Sequence, residues 1–277
     1  MEGASREVLV ELKDAKIELI VGDALKILPS LPSNTYHLVV LDPPYLVTEA
    51  PNVKDEYHEA LKTNIDWEFL LKQIYRVMTQ DSVLVFFGHL VTFMELGSII
   101  KSAGFRYVID IVWVKPHPVN FLMSKSKPLS QHETITVWRK GKMRYNWQEA
   151  LERGTPYSKA LVSSIYKAEP RAVVNNGYRY MTDVIFAPNK PTMKKEERTK
   201  HPTQKPLSLV EQLVKAFSFK GDNVLDPFAG SGTTLVACAR TSRNALGIEI
   251  NEEYAEIIRS RVKNTQLSLD SVLETSF

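Results

Sequence analysis

"VLDPFAGSGTT", residues 224–234, begins as a short apolar strand and then breaks into a loop with two glycines separated by one serine. Gly230 and Gly232 let the backbone turn sharply and approach a ligand closely. The helix expected near Thr233 offers unpaired N–H groups at its start. Roughly twenty residues later a second apolar run, "ALGIEI", carries an acidic residue, Glu249. A strand, a glycine turn, a helix and a second strand bearing a carboxylate are the parts of a nucleotide-binding fold, in which the carboxylate accepts hydrogen bonds from ribose hydroxyls.

Outward from that unit, short apolar runs alternate with helix-period segments. The runs are Ile17–Val21, His37–Leu41, Val83–Phe87, Tyr107–Val114, Thr134–Trp138, Asn223–Asp226 and Ala245–Ile250. Between them, Asp66 is placed to cap a helix through Val77, and Val91–Ala103 forms another that stops at Gly104. Leu207–Phe219 puts Val210, Leu213, Val214 and Phe217 on one face, with Gly221 as a stop. Asn251 caps a last helix, and the polar tail after Lys263 is expected to fray. The alternation predicts an α/β, Rossmann-like, mostly parallel doubly wound sheet.

The ligand of the glycine loop is constrained by what the loop lacks. Its spacing has no third glycine of a dinucleotide fingerprint, and no lysine follows the glycines as in a phosphate loop. Asp226 at the loop entrance would repel a diphosphate but suits an ammonium group. A nucleoside with a cationic amino-acid tail fits these residues, and S-adenosylmethionine is such a molecule.

A second strand, "VVLDPPYLVT" at 39–48, ends in an aspartate, two prolines and a tyrosine. Each proline removes a backbone donor, keeps its carbonyl acceptor and fixes φ near −65°. Asp42-Pro43-Pro44-Tyr45 is therefore a stiff loop presenting acceptors beside an aromatic ring. It suits a planar group bearing NH₂: the acceptors take both hydrogens and Tyr45 stacks on the face. Amine methylation on a nucleobase needs this, because the nitrogen lone pair is delocalised into the ring until both hydrogens are held by acceptors.

The chain of 277 residues is 44% apolar, enough for a sizeable core, and no apolar run is long enough to span a bilayer. No secretory signal is visible, so a cytoplasmic, reducing compartment is expected. Cys238 is the only cysteine, which excludes an internal disulfide and any multi-cysteine metal site; its apolar neighbours assign it to packing. No Pro-Cys pair is present, so thiolate attack on cytosine is excluded. His89, His117, His132 and His201 lack metal-ligand spacing, and no metal is expected. From Lys115 to Lys205 there are 18 Lys and Arg against 7 Asp and Glu, while the rest of the chain holds 17 against 25. A basic middle on an acidic body suggests a polyanionic partner. Within it, residues 141–200 break the alternation and form an insertion.

DPPY at 42–45, HPTQKP at 201–206 and DPFAGSGTT at 226–234 occur in that order. Gly22–Asp23, "WVKP" at 113–116, "HETITVWRKG" at 132–141 and GIEI accompany them. In this combination the chain resembles the permuted (β-group) DNA amino-methyltransferases, which modify adenine N6 or cytosine N4, over nearly its whole length. The resemblance implies a circularly permuted methyltransferase fold with a basic insertion. Residues 1–140 would be the catalytic half, 141–200 the target-recognition insertion and 201–277 the cofactor-binding half of the same domain. Asp42, Pro43, Pro44 and Tyr45 would hold a base flipped from double-stranded DNA. Asp226, Phe228, Ala229, Gly230, Ser231, Gly232 and Thr233 would flank S-adenosylmethionine, with Glu249 on its ribose, Asp23 on its adenine amine, and Thr203 and Lys205 on its methionine carboxylate. A homodimer and a cognate restriction endonuclease are expectations of the same origin. Pro51–Asn64, with Lys54, Tyr57, His58 and Lys62, is a candidate lid over DNA.

In the resembled family an aspartate at the first loop position is more usual for adenine N6 and a serine for cytosine N4, so the resemblance favours adenine. Rival readings are methylation of protein glutamine or RNA bases, which related N-P-P-Y loops perform, and a DNA-binding module that keeps the cofactor fold without catalysis. The intact DPPY loop and the basic insertion favour a DNA enzyme over both.

Overall fold

The computed structural model describes residues 5–44, 65–119, 121, 124–153, 155–161 and 171–274. Tyr45 and the segment 51–64 lie outside the described residues. The strands are β1 (Arg6–Leu12), β2 (Ala15–Val21), β3 (Tyr36–Leu41), β4 (Met78–Gly88), β5 (Arg106–Val119) and β6 (Ser130–Lys140), then β7 (Glu152–Arg153), β8 (Tyr157–Leu161), β9 (Arg171–Asn175), β10 (Tyr178–Arg179), β11 (Val184–Phe186), β12 (Asn223–Asp226) and β13 (Asn244–Glu249). The helices are α1 (Ala24–Ile27), α2 (Trp67–Val77), α3 (Leu90–Ser102), α4 (Leu207–Phe217), α5 (Thr233–Arg240) and α6 (Glu252–Glu274).

Nine strands make one sheet in the order β1-β2-β13-β12-β3-β4-β6-β5-β11. Only β1 and β6 run against the rest. The central strands are continuous apolar runs because both faces are covered. Within β3 the side chains alternate between two cores: Leu38 and Val40 pack with Leu213, Val214, Leu235 and Ile258 of α4, α5 and α6. Val39 and Leu41 pack with Leu70, Ile74 and Ile100 of α2 and α3. Asp66 caps α2 by accepting from the Phe69 N–H, and Asn251 accepts from Glu253 and Tyr254 at the start of α6.

The two motif-bearing strands are immediate parallel neighbours. Val224 of β12 pairs with Leu38 of β3, and Leu225 with Val39. The chain winds outward from this seam in opposite directions, β3 to β4 on one side and β12 to β13 on the other, where β2 lies next in the sheet. A crevice opens at the carboxyl ends of strands where winding reverses, so the fold predicts its site there.

Four features depart from the sequence reading. β1 forms an antiparallel hairpin with β2 as an edge strand of sequence REVLVEL in which only Val10 is buried, so it does not read as a core strand. β11, inside the irregular 141–200 stretch, joins the sheet edge beside Val112–Val114 of β5. α4 ends at Phe217, with Ser218 as its cap, rather than running to the glycine stop. The polar tail is helical: α6 continues to Glu274. The start of the irregular stretch is tied to the sheet's other half by Arg144 on Asp222, Glu149 on the fully buried Arg243, and Asn146 on the end of α4.

Leu225 is fully buried at the seam. Leu225→Ala is expected to cost about 2–5 kcal/mol, read as a lower denaturant midpoint with an unchanged slope.

Candidate active site

At the carboxyl ends of β3, β12, β13 and β2 lies a cavity of about 730 Å³. It is lined by Asp42, Pro43 and Pro44 from the first motif, Asp226 and Phe228–Ser231 from the second, and Thr203–Lys205 between them. Asp23, Thr233 and Glu249 also face it. Thirteen of the fifteen proposed site residues thus line one chamber, although the two motifs are far apart along the chain. Gly232 does not line it, and Tyr45 lies outside the described residues.

The two glycines do different work. Gly230 has φ +51°, and a Cβ there would sit 2.9 Å from Nε2 of His201, so the bare backbone is needed at the cavity wall. Gly232 has φ +74° and faces away, where a Cβ would meet Ile258 of α6 at 2.9 Å. It lets α5 and α6 pack closely and stands behind the ligand surface rather than on it.

Glu249 organises the loops. Its two oxygens accept the N–H of Gly230 at 2.7 Å and of Asn251 at 2.8 Å. Gly22 N–H bonds the Glu249 carbonyl, which brings Asp23 to the same rim; Asp23 itself caps α1 through the Leu25 N–H. Burial pushes the Glu249 carboxyl above its ordinary range, against those N–H donors. Asp226 is pushed up to about 7, first by burial and further by the charges of Asp42 and Glu249, while bonds from Thr234 and the Phe228 N–H act in the opposite sense.

Lys205 stands on a different anion from the one the resemblance implies. Its Nζ donates to both oxygens of Asp42 at 2.7 Å and lies 3.4 Å from Glu133 Oε1. Burial pulls this ammonium down, but Asp42 and Glu133 outweigh it and hold it above its ordinary value. The expected anion was the ligand's; the anion it meets is the first motif's own carboxylate. HPTQKP also does more than turn the chain into α4. Gln204 accepts from Thr199 and donates to the Glu197 carbonyl, and the Lys205 carbonyl accepts from Thr233.

Sequence reasoning gives no role to three neighbours. His201 stacks edge-on against Tyr254 at 4.5 Å between ring centroids, and burial followed by nearby Lys205, Lys190 and Arg261 lowers its pKa to about 4. Arg261 of α6 braces the glycine loop from behind, donating to the Ser231 carbonyl and the Thr233 hydroxyl. Glu133 sits inside the quoted "HETITVWRKG", but its partners are distant in sequence. Cys238 is buried, and burial pushes its thiol up, as befits packing. Among the described residues no group of three or more His, Cys, Asp or Glu side chains is arranged to hold a metal ion.

The donor set fits S-adenosylmethionine. Asp23, Asp226 and Glu249 offer acceptors for an amine, an ammonium and ribose hydroxyls, while Leu25, Phe228 and Ile250 give apolar walls for an adenine ring. This is the chamber of an S-adenosylmethionine-dependent methyltransferase. A family model for DNA methylases of the N6/N4 type matches residues 36–260, so the chain belongs to that family. It is 26% identical over 260 residues to the type II methyltransferase M.HpaI of Haemophilus parainfluenzae, covering 92% of this chain and 77% of that one. It is 27% identical over 272 residues to M2.DpnII of Streptococcus pneumoniae, covering 90% of each. Among solved structures, a DNA modification methylase from Thermus thermophilus superposes with TM-score 0.60 at 25% identity, covering 88% of this chain and 93% of that chain. The cytosine-N4-specific PvuII DNA methyltransferase shares the fold, with TM-score 0.63 at 17% identity over 94% of this chain and 90% of its own. The chain is accordingly an S-adenosylmethionine-dependent DNA amino-methyltransferase with a Rossmann-like fold. No helix among the described residues is long and apolar enough to cross a membrane.

Two outcomes follow. Gly230→Ala forces a side chain into left-handed backbone at a strain of about 1–2 kcal/mol, so calorimetry should show S-adenosylmethionine affinity weakened by about tenfold. Asp226 is protonated more readily in the folded chain than in the unfolded one, so its contribution to stability is present below the ordinary value of 3.8 and is lost as pH rises through about 7. Unliganded protein should therefore lose thermal stability relative to Asp226→Asn across that window, with the difference level above it.

Proposed function

We propose that this enzyme transfers a methyl group to the exocyclic N6 of an adenine flipped out of duplex DNA. The observation that carries the reading is the Asp42 carboxylate at the rim of the cofactor chamber, held by Lys205 and followed by two prolines whose carbonyls remain acceptors. S-adenosylmethionine, when bound, supplies an electrophilic methyl on a sulfonium. Asp42 and a carbonyl of the proline loop accept the two amine hydrogens, which favours a pyramidal nitrogen with an available lone pair and draws off its developing positive charge. The amine lone pair would form the new N–C bond as the S–CH₃ bond breaks, its electron pair staying on the sulfur of a neutral thioether that departs, and one amine proton would move onto acceptors at that rim and on to solvent.

The cofactor-side residues have assigned tasks in this reading. Glu249 holds the ribose, Asp23 the adenine amine, Asp226 the ammonium, and Thr203 the carboxylate end; Phe228, Ala229, Gly230, Ser231 and Thr233 form the floor. Tyr45 stacks on the extruded base, offsetting part of an unstacking cost of a few kcal/mol. Adenine is favoured by aspartate at the first motif position, the residue type that the resemblance associates with N6 transfer; cytosine N4 is the alternative. Residues 141–200 are assigned to target recognition between the catalytic half, 1–140, and the cofactor half, 201–277, on the support of their basic excess. A cytoplasmic enzyme, a cognate endonuclease of the type II kind and a two-subunit assembly belong to the same reading.

Asp42→Ala should abolish methyl transfer to purified duplex, by a factor on the order of 10³ or more, while calorimetry still detects cofactor binding. Activity persisting in that variant would overturn the reading. Expression in a host without background methylation, followed by single-molecule mapping, should place the mark on adenine; a mark on cytosine N4 would correct the substrate.

A further inference from the structure

The Asp42–Lys205 pair continues inward as a row of alternating charges. Lys205 Nζ lies 3.4 Å from Glu133 Oε1, and Glu133 Oε2 lies 2.9 Å from Lys115 Nζ. Lys205, Glu133 and Lys115 are all at least nine-tenths buried. Four separate segments supply the row: the end of β3, the start of α4, and two neighbouring strands. Trp113 of β5 pairs with Glu133 of β6, which delivers Lys115 to the same edge. Because β6 runs against β4, with Thr134 opposite Gly88, its first residues lie at the carboxyl edge of the parallel strands, beside Asp42. Aromatic rings border the row, with Phe87 5.2 Å from Lys205 Nζ and Trp113 4.9 Å from Lys115 Nζ. His89 is the titratable neighbour on the β4 side, and burial holds its imidazole below its ordinary value despite Glu133.

Buried charges are costly unless paired, and two carboxylates and two ammonium groups in this order sum to zero. A lysine held by Asp42 alone keeps a flexible four-carbon stem with rotamer freedom to lose. A second anion on the far side of Nζ fixes where that ammonium stands.

We infer that Glu133, itself held by Lys115, is a positioning residue for methyl transfer: it anchors Lys205 so that the Asp42 carboxylate keeps one orientation toward the amine. This rests on the reading that Asp42 receives the amine. Glu133 acts through Lys205, and its removal disturbs the geometry of transfer without removing a group that touches the base or the cofactor. Misplacement of this kind costs on the order of 10- to 100-fold in rate.

The test is Glu133→Gln beside Glu133→Gln/Lys115→Met, which removes one charge of each sign, with Asp42→Ala in parallel. Steady-state kinetics on a duplex containing the mapped site gives kcat and KM, and calorimetry gives cofactor affinity and the fraction of competent sites. Glu133→Gln should lower kcat per competent site by about 10-fold or more, with KM for duplex and cofactor affinity within about twofold. The double variant should recover part of that loss. An unchanged kcat in Glu133→Gln overturns the inference. So does a double variant with native kcat, because the loss in the single variant would then come from the unpaired Lys115 charge and not from the missing anchor on Lys205. Should Glu133→Gln bind no cofactor, the double variant decides: reduced kcat supports the inference and native kcat ends it. Activity in Asp42→Ala would instead remove the underlying reading of the site, whatever Glu133 does.

Discussion

The parallel pairing of β3 with β12 is the constraint on which the molecule depends. Val224 beside Leu38 and Leu225 beside Val39 set the register, and both strands therefore stop at the same edge of the sheet. Asp42 follows one and the glycine loop follows the other. Because winding reverses between them, a crevice opens at that edge and the two motifs share one chamber. The packing beneath is correspondingly dense: β3 sends alternate side chains into both cores, so the seam is held from above and below.

The chamber concentrates like charges, and the fold manages them by different means. Glu249 is held by backbone N–H groups, which lets it serve as a structural tie between the glycine loop and the start of α6. Asp226 is held by burial in conditions that favour its neutral form. Asp42 is paired outright with Lys205, and the pairing extends through Glu133 to Lys115. One carboxylate is thus a brace, one is shifted toward its neutral form, and one is paired with a lysine at the mouth. That division suits a reaction in which a cationic cofactor is received on one side and a neutral amine on the other.

Much of this is legible in the sequence where local chemistry decides it. Continuous apolar runs mark buried parallel strands, and Asp66 and Asn251 stand at helix starts because their side chains satisfy free N–H groups. β1 is not legible, since Arg6–Leu12 has only three consecutive apolar residues between charged ones and lies largely exposed at the sheet edge. β11 is three residues long and owes its strand form to pairing with β5. Lys205 is readily located in a motif, but its protein partners are not: local sequence says that a lysine needs a counter-charge, and only the fold says that Asp42 and Glu133 stand beside it. Gly232 groups with Gly230 because both are glycines in one loop, although the second answers to Ile258 of α6. Arg261 carries no local signal, being one basic residue among several on a helix.

The central claim is that the Asp42 carboxylate receives the target amine across the chamber from the glycine loop. A crystal structure of the enzyme with a non-reactive cofactor analogue and duplex DNA containing its target measures this directly. The account predicts an extruded base whose amino nitrogen lies within about 3 Å of an Asp42 oxygen, facing the position of the transferable methyl. An extruded base bound with its amine turned away from Asp42, or a target left stacked in the duplex, would contradict it.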